Sequence, residues 1–299
     1  MVVVVGYVVS CGTTATSLDR LACFHQEDTA QAVSARSSRS FARRQGKPVW
    51  SPEREAHKFP NCQKGKQTHN LKLTHTFQPK MTIVSNSPLV FKYLKLLPFG
   101  ARGGVTRFFM LAQGIPFEER LFGTADEWPA EKKRLIESGE NPAGTLPILE
   151  SNGESHPQHI AVSRYLARVH QVTSGDDYKD YVQDLVADEY QSFRNHWVKV
   201  TFSGTDSEKE AYQTTDVPNY LTKFDALYDK FKTEAVFLST SGKTGQPLWG
   251  DAAIFGLLRD HILSKYITKD DLAAYPRLNE MYNAYESIPA VAHWLAQLN

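Results

Sequence analysis

The sequence has few cysteines, and all of them lie near its N-terminal end. Of the 299 residues only three are cysteine: Cys11, Cys23 and Cys62. Residues 63–299 therefore offer no thiol for a disulfide, for a metal ligand or for a cysteine nucleophile. This excludes a disulfide framework for most of the chain and is typical of cytoplasmic proteins. We accordingly expect a cytoplasmic location.

Two further patterns are missing. No run of 18 apolar residues occurs, so we expect no membrane-spanning helix and no membrane partner. The ten histidines show no zinc-ligand spacing such as H-E-x-x-H, so the sequence predicts no metal site. Lysine and arginine (34 residues) nearly balance aspartate and glutamate (33), so the overall charge does not favour nucleic acid as a partner.

The balanced total hides an uneven distribution of charge. Residues 1–80 hold twelve Lys or Arg against five Asp or Glu, whereas residues 81–299 hold 22 against 28. The first segment also lacks sustained apolar periodicity, so we predict a disordered basic extension over residues 1–88. Met81, just before the first segment with a folded pattern, is a candidate for the true start.

Two parts of this extension resemble targeting signals. Val2–Val9 is apolar like the centre of a secretory signal, but it lacks a preceding basic region and a small-residue cleavage site. Ala35–Lys47 is rich in Arg and Ser like a mitochondrial transit segment, but it lies far from the N-terminus. Disorder, or sequence that is not normally translated, is the interpretation we favour.

The next segment has the pattern of a small mixed sheet flanked by helices. Apolar periodicity predicts helices over Arg102–Gly114, Glu131–Ser138 and Gln158–His170, and strands over Tyr93–Leu97, Phe117–Phe122, Leu146–Glu150 and Glu154–His156. The last two strands are joined across Asn152-Gly153, a dipeptide typical of a tight hairpin. The predicted order is therefore βαβ followed by ββα.

From Asp176 onward only helix patterns remain. Aromatic and apolar residues recur at helical spacing in four segments, whose apolar faces begin at Val182, Tyr220, Ala252 and Leu278. Strands followed by helices indicate an α+β fold or two domains. We predict one domain over residues 89–171 and a second, all-helical domain over residues 172–299.

Four segments, in this order, resemble the glutathione transferase family, closest to its sigma-type and fungal members. They are Ala101–Arg107 (ARGGVTR), Asn141–Glu150 (NPAGTLPILE), Gln158–Arg168 (QHIAVSRYLAR) and Tyr275–Leu295 (YPRLNEMYNAYESIPAVAHWL). The resemblance implies a thioredoxin-like, glutathione-binding N-terminal domain followed by an all-α C-terminal domain. It also implies glutathione as co-substrate without a permanently bound cofactor, a small apolar electrophile as second substrate, and a homodimer.

The resemblance places glutathione against a strand edge and a helix N-terminus. It implies that Pro147 is cis and that Leu146 offers its backbone to the extended tripeptide, as exposed strand edges do. An ordinary trans Pro147 is the alternative. It further implies that Gln158 and His159 take the γ-glutamyl carboxylate, which the N–H groups of a helix start favour. His159 replaces a serine of the family pattern, and this predicts weaker binding.

Three more site residues follow from the resemblance. Trp128 and Lys132 match a W-x-x-x-K pattern that contacts the glycyl end of glutathione, with a solvated lysine as the alternative. Asp184 aligns with an acid that reaches the glutathione amine across a dimer. Without a partner subunit it would be a surface carboxylate, and both interpretations stay open.

The residue that activates the glutathione thiol in sigma-type members is a tyrosine at the end of the first strand, and this sequence has no tyrosine at the matching position. Leu96 or Leu97 stands there, depending on a one-residue gap, and Tyr93 lies at the other end of the predicted strand. The remaining candidates are Arg102, the backbone N–H groups beside it, and Thr106. We favour Arg102, because a fixed cation stabilises a thiolate without losing a proton.

Another departure from the family pattern lies at the third helix of the second domain. Trp249–Leu257 (WGDAAIFGL) lacks the Ser/Thr-x-x-Asp box that starts this helix in family members. We predict that Asp251 serves as the N-cap instead.

Two functions remain compatible with these residues. One is an enzyme that conjugates glutathione to electrophilic, mostly apolar small molecules, in detoxification or fungal secondary metabolism. The other is a non-catalytic glutathione- or ligand-binding protein of the same fold that has lost the activating tyrosine. We favour the enzyme.

Overall fold

A computed structural model describes residues 88–124, 126–233 and 236–298. Apart from its last residue, Pro88, the predicted basic extension lies outside these ranges. Among the residues described, no helix is both long and apolar enough to span a bilayer.

A mixed sheet of four strands forms the first part of the described chain. The strands are β1 (Val90–Leu94), β2 (Glu118–Phe122), β3 (Ile148–Ser151) and β4 (Glu154–Pro157), in the order β2-β1-β3-β4. β1 and β2 are parallel, whereas β3 is antiparallel to both β1 and β4. The Asn-Gly turn lies where it was predicted: Asn152 and Gly153 have φ values of 54° and 78°, as a type I′ hairpin requires.

Three helices accompany the sheet: α1 (Ala101–Gln113), α2 (Glu127–Glu137) and α3 (His159–Val169). α1 is the crossover that parallel strands β1 and β2 need. It ends at Gly114, whose left-handed φ of 65° caps the helix as predicted. α2 begins one turn earlier than predicted, because the Asp126 carboxylate accepts the Glu127 N–H group at 2.9 Å.

The second part of the fold is helical. Its helices are α4 (Asp177–Ser203), α5 (Asp206–Ala211), α6 (Val217–Phe231), α7 (Trp249–Leu263), α8 (Pro276–Glu286) and α9 (Pro289–Ala296). A π-helical segment, Tyr212–Asp216, joins α5 to α6, and a 3₁₀ helix, Asp270–Ala274, precedes α8. The four predicted helical segments correspond to α4, α6, α7 and α8. The α+β fold, thioredoxin-like and then all-α, is therefore as predicted.

The first strand lies three residues earlier than predicted. It runs over Val90–Leu94 and not over Tyr93–Leu97, because Phe91, Lys92 and Tyr93 are all buried between its partners. The buried Lys92 interrupts the apolar pattern by which this strand would be recognised in the sequence. The Lys92 ammonium group pairs with the Glu150 carboxylate on β3, which is how a charge is tolerated there.

The α7 helix is the centre of the helical part. Its residues from Trp249 to His261 are all buried, as expected of a helix that is apolar on nearly every side. The Phe255 ring lies 4.9 Å from Phe108 of α1 and 4.5 Å from Tyr285 of α8. α7 therefore packs against the sheet part as well as against its own helical neighbours.

The predicted N-cap of α7 is wrong. The helix begins at Trp249 with Leu248 as its N-cap residue, and Asp251 lies inside the first turn. Asp251 is fully buried and accepts hydrogen bonds from Tyr228 Oη at 2.9 Å and from the Leu238 N–H group at 3.1 Å. Asp251 is therefore not the N-cap residue, and Gln183 of α4 accepts the Gly250 and Asp251 N–H groups of the first turn.

The last helix packs on the first one. The Arg107 guanidinium of α1 is buried, lies 5.1 Å from the Trp294 ring of α9 and 5.5 Å from the Phe91 ring of β1, and pairs with Glu119 of β2. The core of the sheet part is thus completed by the C-terminal end of the described chain.

Candidate functional site

The loop before β3 presents the backbone expected to hold a peptide. The Leu146-Pro147 peptide bond is cis, which confirms that prediction. The pairing of β1 with β3 ends at the Lys92–Ile148 pair, so Leu146 lies outside the ladder. Its backbone is therefore available for an extended ligand at this end of β3.

The Gln158 side chain reaches the same loop. Gln158 is exposed and is the N-cap of α3, and its Nε2 atom lies 3.4 Å from Thr145 Oγ1, next to Leu146. Its φ of 79° is left-handed, and such a conformation in a residue other than glycine is a common mark of ligand sites. Two elements that the sequence assigned to glutathione thus meet in space.

The His159 imidazole does not face this loop. It is 3% exposed, makes an edge contact with Tyr190, and its Nε2 atom lies 3.3 Å from Gln191 Nε2. Burial, assisted by the charges of Arg102 and Arg194, lowers the pKa of His159 to about 3. The imidazole is therefore neutral at neutral pH and packs on α4, which leaves the start of α3 to contribute only backbone N–H groups.

The two residues predicted for the glycyl end have different surroundings. Trp128 is 5% exposed and packs on Phe122, with 5.9 Å between the ring centroids; most of its surface stabilises α2 against the sheet. Lys132 is half-buried. A methyl group placed on Gly144 would lie 3.2 Å from Lys132 Cε, so the lysine stem passes beside the loop that leads to Leu146.

Asp184 has partners within its own chain. Its Oδ1 atom accepts hydrogen bonds from Arg164 Nε at 2.6 Å and from Trp249 Nε1 at 2.9 Å. The carboxylate thereby joins α3, α4 and α7, and its side chain is 38% exposed. Asp184 is therefore a partly exposed carboxylate with partners in its own chain, and the contact with glutathione across a dimer stays a prediction.

Tyr93 lies at the end of β1, where the sequence reading had placed a leucine. Because the strand starts three residues earlier than predicted, Tyr93 is its penultimate residue. A side chain at Gly103 would overlap the Tyr93 ring, so only glycine allows α1 to approach it this closely. Burial raises the pKa of the Tyr93 hydroxyl, and the nearby Gly103 N–H group, Arg102 and Arg194 partly oppose that shift.

Arg102 lies in the first turn of α1 and points toward α4. Its Nη2 atom donates a hydrogen bond to Asn195 Oδ1 at 2.7 Å. In the ranges that the structure describes, no carboxylate lies within ion-pair distance of this guanidinium, so its charge is not neutralised by a neighbour. That leaves the cation able to act on an anion bound beside it.

The other candidates for thiol activation are already engaged. The N–H groups of Gly100 and Ala101 donate to the Asp260 carboxylate at 2.8 Å and 2.7 Å. Thr106 Oγ1 is buried, lies 3.4 Å from Ser163 Oγ and donates to the His159 carbonyl at 3.1 Å. These contacts favour Arg102 over Thr106 and over the N–H groups of Gly100 and Ala101, and the Thr106 bond brings α1 against the start of α3.

Apolar side chains remain partly exposed in the loop before α1 and at the end of α4. Leu97, in the loop before α1, is 37% exposed. The ring of Phe99 lies 6.0 Å from Trp197, which in turn lies 5.4 Å from Phe202. Trp197 itself is fully buried, so Leu97, Phe99 and Phe202 are the side chains of this group that reach the surface.

A sheet domain with a cis-proline loop, followed by a helical domain, defines the glutathione transferase fold. The structure of the Pi-class glutathione S-transferase of Onchocerca volvulus matches this chain with a TM-score of 0.60. The match covers 71% of this chain and 93% of that one at 17% sequence identity, and at that identity it shows the fold alone.

Sequence relatives extend the likeness beyond the fold. The family model "Glutathione S-transferase, C-terminal domain" matches residues 191–297. A glutathione S-transferase of Anopheles gambiae is 31% identical over 186 residues, which are 60% of this chain and 83% of that protein. Glutathione S-transferase S1 of Drosophila melanogaster is 26% identical over 191 residues, 62% and 71% of the two chains. This chain belongs to the glutathione S-transferase family, and these relatives support a glutathione transferase enzyme.

Proposed function

We propose that this protein conjugates glutathione to electrophilic, mostly apolar small molecules. The observation that carries the proposal is the meeting of Gln158, with its left-handed backbone, and the Leu146 loop at the Thr145 hydroxyl. A carboxylate receptor and a free stretch of backbone lie side by side there. Glutathione, an extended tripeptide with a carboxylate at each end, has the chemistry that fits this pair.

Each end of glutathione has a proposed receptor. The cysteinyl backbone pairs with Leu146. The γ-glutamyl carboxylate accepts hydrogen bonds from Gln158 and from the first N–H groups of α3, where the helix dipole favours an anion. The glycyl carboxylate lies toward the Lys132 ammonium group, and Trp128 supports the helix that carries this lysine.

The thiol is activated by a cation and a hydroxyl group. A free thiol has a pKa near 8.5, so lowering it by about two units needs roughly 3 kcal/mol of selective thiolate stabilisation. Arg102, whose guanidinium has no carboxylate partner among the described residues, supplies a fixed positive charge. Tyr93 keeps its proton at neutral pH because burial raises its pKa, so its hydroxyl can donate to a thiolate.

The second substrate binds on the partly exposed apolar side chains before α1 and at the end of α4. Leu97, Phe99 and Phe202 offer aliphatic and aromatic contacts, which favour an electrophile with a large apolar part. In the reaction the glutathione thiolate attacks the electrophilic carbon and a C–S bond forms. The bond to the leaving group breaks, and that group departs with the electron pair.

Several wider properties belong to the same proposal. The enzyme uses glutathione as a co-substrate and has no permanently bound cofactor. It acts in the cytoplasm as a homodimer, in detoxification or in fungal secondary metabolism. Within the family, we assign the chain to the sigma-type and fungal members.

The thiolate absorbance of bound glutathione against pH, measured beside turnover of a chloronitrobenzene electrophile, tests this function. We expect a bound-thiol pKa well below 8.5 together with turnover. Arg102→Ala should raise that pKa by a unit or more and slow conjugation about tenfold at neutral pH, since one unit is 1.36 kcal/mol. Arg102→Lys should restore only part of the lost thiol pKa shift and conjugation rate, because the lysine ammonium is a point charge on a side chain of different length and geometry. Tyr93→Phe should also raise the pKa.

An exposed arginine of α3 provides the control for these variants. Arg168→Ala removes the same charge away from the site and should leave the thiol pKa unchanged. If the wild-type protein binds glutathione with an unshifted thiol and shows no turnover, the conjugating enzyme is ruled out. The non-catalytic binding protein would then be the function.

A further inference from the structure

A carboxylate of the helical part holds the turn that carries Arg102. Asp260 of α7 is fully buried. Its Oδ1 atom accepts the Gly100 N–H group at 2.8 Å, and its Oδ2 atom accepts the Ala101 N–H group at 2.7 Å. Both hydrogen bonds end on consecutive residues directly before Arg102, so one side chain fixes the backbone entering α1.

The backbone at this point has an unfavourable conformation. Ala101 has a φ of 45°, in the left-handed region, although it has a side chain, and that side chain is buried. Such a conformation persists only where the surroundings impose it. The Asp260 carboxylate binds the N–H groups of the two peptides that flank Gly100, and it thereby fixes the peptide that enters Ala101.

Asp260 is itself held rigidly. Arg194 of α4 is fully buried and donates from Nη1 to Asp260 Oδ2 at 2.7 Å and from Nε to Tyr190 Oη at 3.0 Å. Arg259, next to Asp260 on α7, donates to the Pro98 carbonyl at 2.6 Å. The helical part therefore grips the loop from Pro98 to Ala101 at three backbone atoms.

We infer that Asp260 is a positioning residue of the conjugation reaction, acting through Arg102. By fixing the strained turn at Ala101, it sets where the Arg102 guanidinium stands relative to the thiolate. The charge of Asp260 is balanced by Arg194, so its influence on the thiol passes through geometry. The inference rests on the proposed role of Arg102 in stabilising the thiolate. Displacement of a charged catalytic group by about 1 Å is enough to impair a reaction, so the position of Arg102 matters.

A double-mutant cycle separates positioning from mere stability. Asp260→Asn is expected to raise the pKa of the bound thiol by about one unit and to slow conjugation about tenfold at neutral pH. The dissociation constant of glutathione should stay within about twofold, because Leu146 and Gln158 are untouched. In an Arg102→Ala background, Asp260→Asn should cause no further rise of the thiol pKa.

A second variant keeps the test decisive if Asp260→Asn folds poorly. Ala101→Gly removes the backbone strain, because glycine adopts a φ of 45° without a side-chain clash. The double variant Asp260→Asn, Ala101→Gly should therefore regain melting temperature while its thiol pKa stays raised. A purely structural Asp260 would instead give recovery of both together.

Three results would overturn the inference. The first is an unchanged thiol pKa in folded Asp260→Asn, and the second is additive effects of the Asp260 and Arg102 substitutions on the thiol pKa. The third is joint recovery of melting temperature and thiol pKa in the double variant Asp260→Asn, Ala101→Gly. Each of them is judged against a wild-type protein whose bound thiol is shifted. An unshifted wild-type thiol is a different outcome, since it removes the proposed function and, with it, the reaction that Asp260 would serve.

Discussion

The Oε1 atom of Gln183 in α4 accepts the Gly250 N–H group in the first turn of α7 at 2.7 Å, and the Asp251 N–H group at 3.3 Å. The N-cap acceptor of this helix therefore comes from another helix and not from the segment before it. A side chain at Gly250 would overlap Gln183, so glycine permits the approach. The Nε2 atom of the same amide donates to Ser239 Oγ at 3.0 Å and to Asp251 Oδ2 at 2.9 Å.

Gln183→Ala should lower the free energy of unfolding by about 3 kcal/mol. The substitution leaves buried N–H groups of α7 without an acceptor and removes one of the donors to Asp251, and each unsatisfied buried group costs about 1–3 kcal/mol. Urea denaturation measures the change. Gln297→Ala, at an exposed position of the C-terminal end, is the matched glutamine truncation and should alter stability by less than about 0.5 kcal/mol. Equal effects of the two substitutions would disprove this form of capping.

Asp251 should make stability fall as pH rises from about 4 to 6. Burial raises the pKa of its carboxyl from 3.8 to about 6, so the folded protein binds the proton more tightly than the unfolded chain. The stabilisation from this tighter proton binding is complete below the pKa that Asp251 has in the unfolded chain. It is lost as pH rises through the pKa that Asp251 has in the folded protein.

The comparison of wild type with Asp251→Asn isolates this contribution, because other groups titrate equally in both proteins. The difference between their free energies of unfolding should change by on the order of 3 kcal/mol between pH 4 and pH 7. Thermal or urea unfolding at several pH values provides the data. A difference that is independent of pH would show that the carboxyl titrates normally in the folded state.

Gln158→Ala should weaken glutathione binding about tenfold or more. A hydrogen bond to a charged group contributes about 1.5–3 kcal/mol, and calorimetry measures the loss. Gln171→Ala is a close control, because Gln171 also has a left-handed backbone, with a φ of 58°, but follows the other end of α3. Similar losses in both variants would mean that the glutathione site lies elsewhere.

Light scattering should give a mass near twice that of one chain, as the proposed homodimer requires. If Asp184 reaches glutathione across that dimer, Asp184→Ala should weaken glutathione binding as well as remove the contacts with Arg164 and Trp249. Asp188→Ala is the control, since Asp188 lies one turn along α4 and contacts the same arginine only at 3.6 Å. A monomer, or unchanged binding in Asp184→Ala, would take Asp184 out of the site.

The sequence predicted the elements that follow local rules. The Asn152-Gly153 hairpin and the Gly114 cap depend on backbone preferences of a few adjacent residues, and the helical faces of α4, α6 and α8 depend on regular apolar spacing. The strand β1 was misplaced because its buried Lys92 is satisfied by Glu150, a residue far away in the chain.

The parts of the site that were missed depend on such long-range contacts. Tyr93 was set aside only because β1 was placed three residues too late. Nothing in the sequence around Asp260 distinguishes it from a surface carboxylate, since its partners Gly100, Ala101 and Arg194 lie more than 60 residues away. Asp251 failed as a cap for the same reason: Gln183, the residue that replaces it, belongs to another helix.

The contact between the Trp294 ring and the Arg107 guanidinium also bears on how the chain folds as it leaves the ribosome. All four strands are made well before α9, yet the guanidinium in α1 gains its second aromatic cover only from that last helix. At about 5–20 residues per second, the nascent sheet waits on the order of ten seconds for it. During that interval the Arg107 side of α1 is open to solvent and to chaperones, and synthesis of the final described helix closes it.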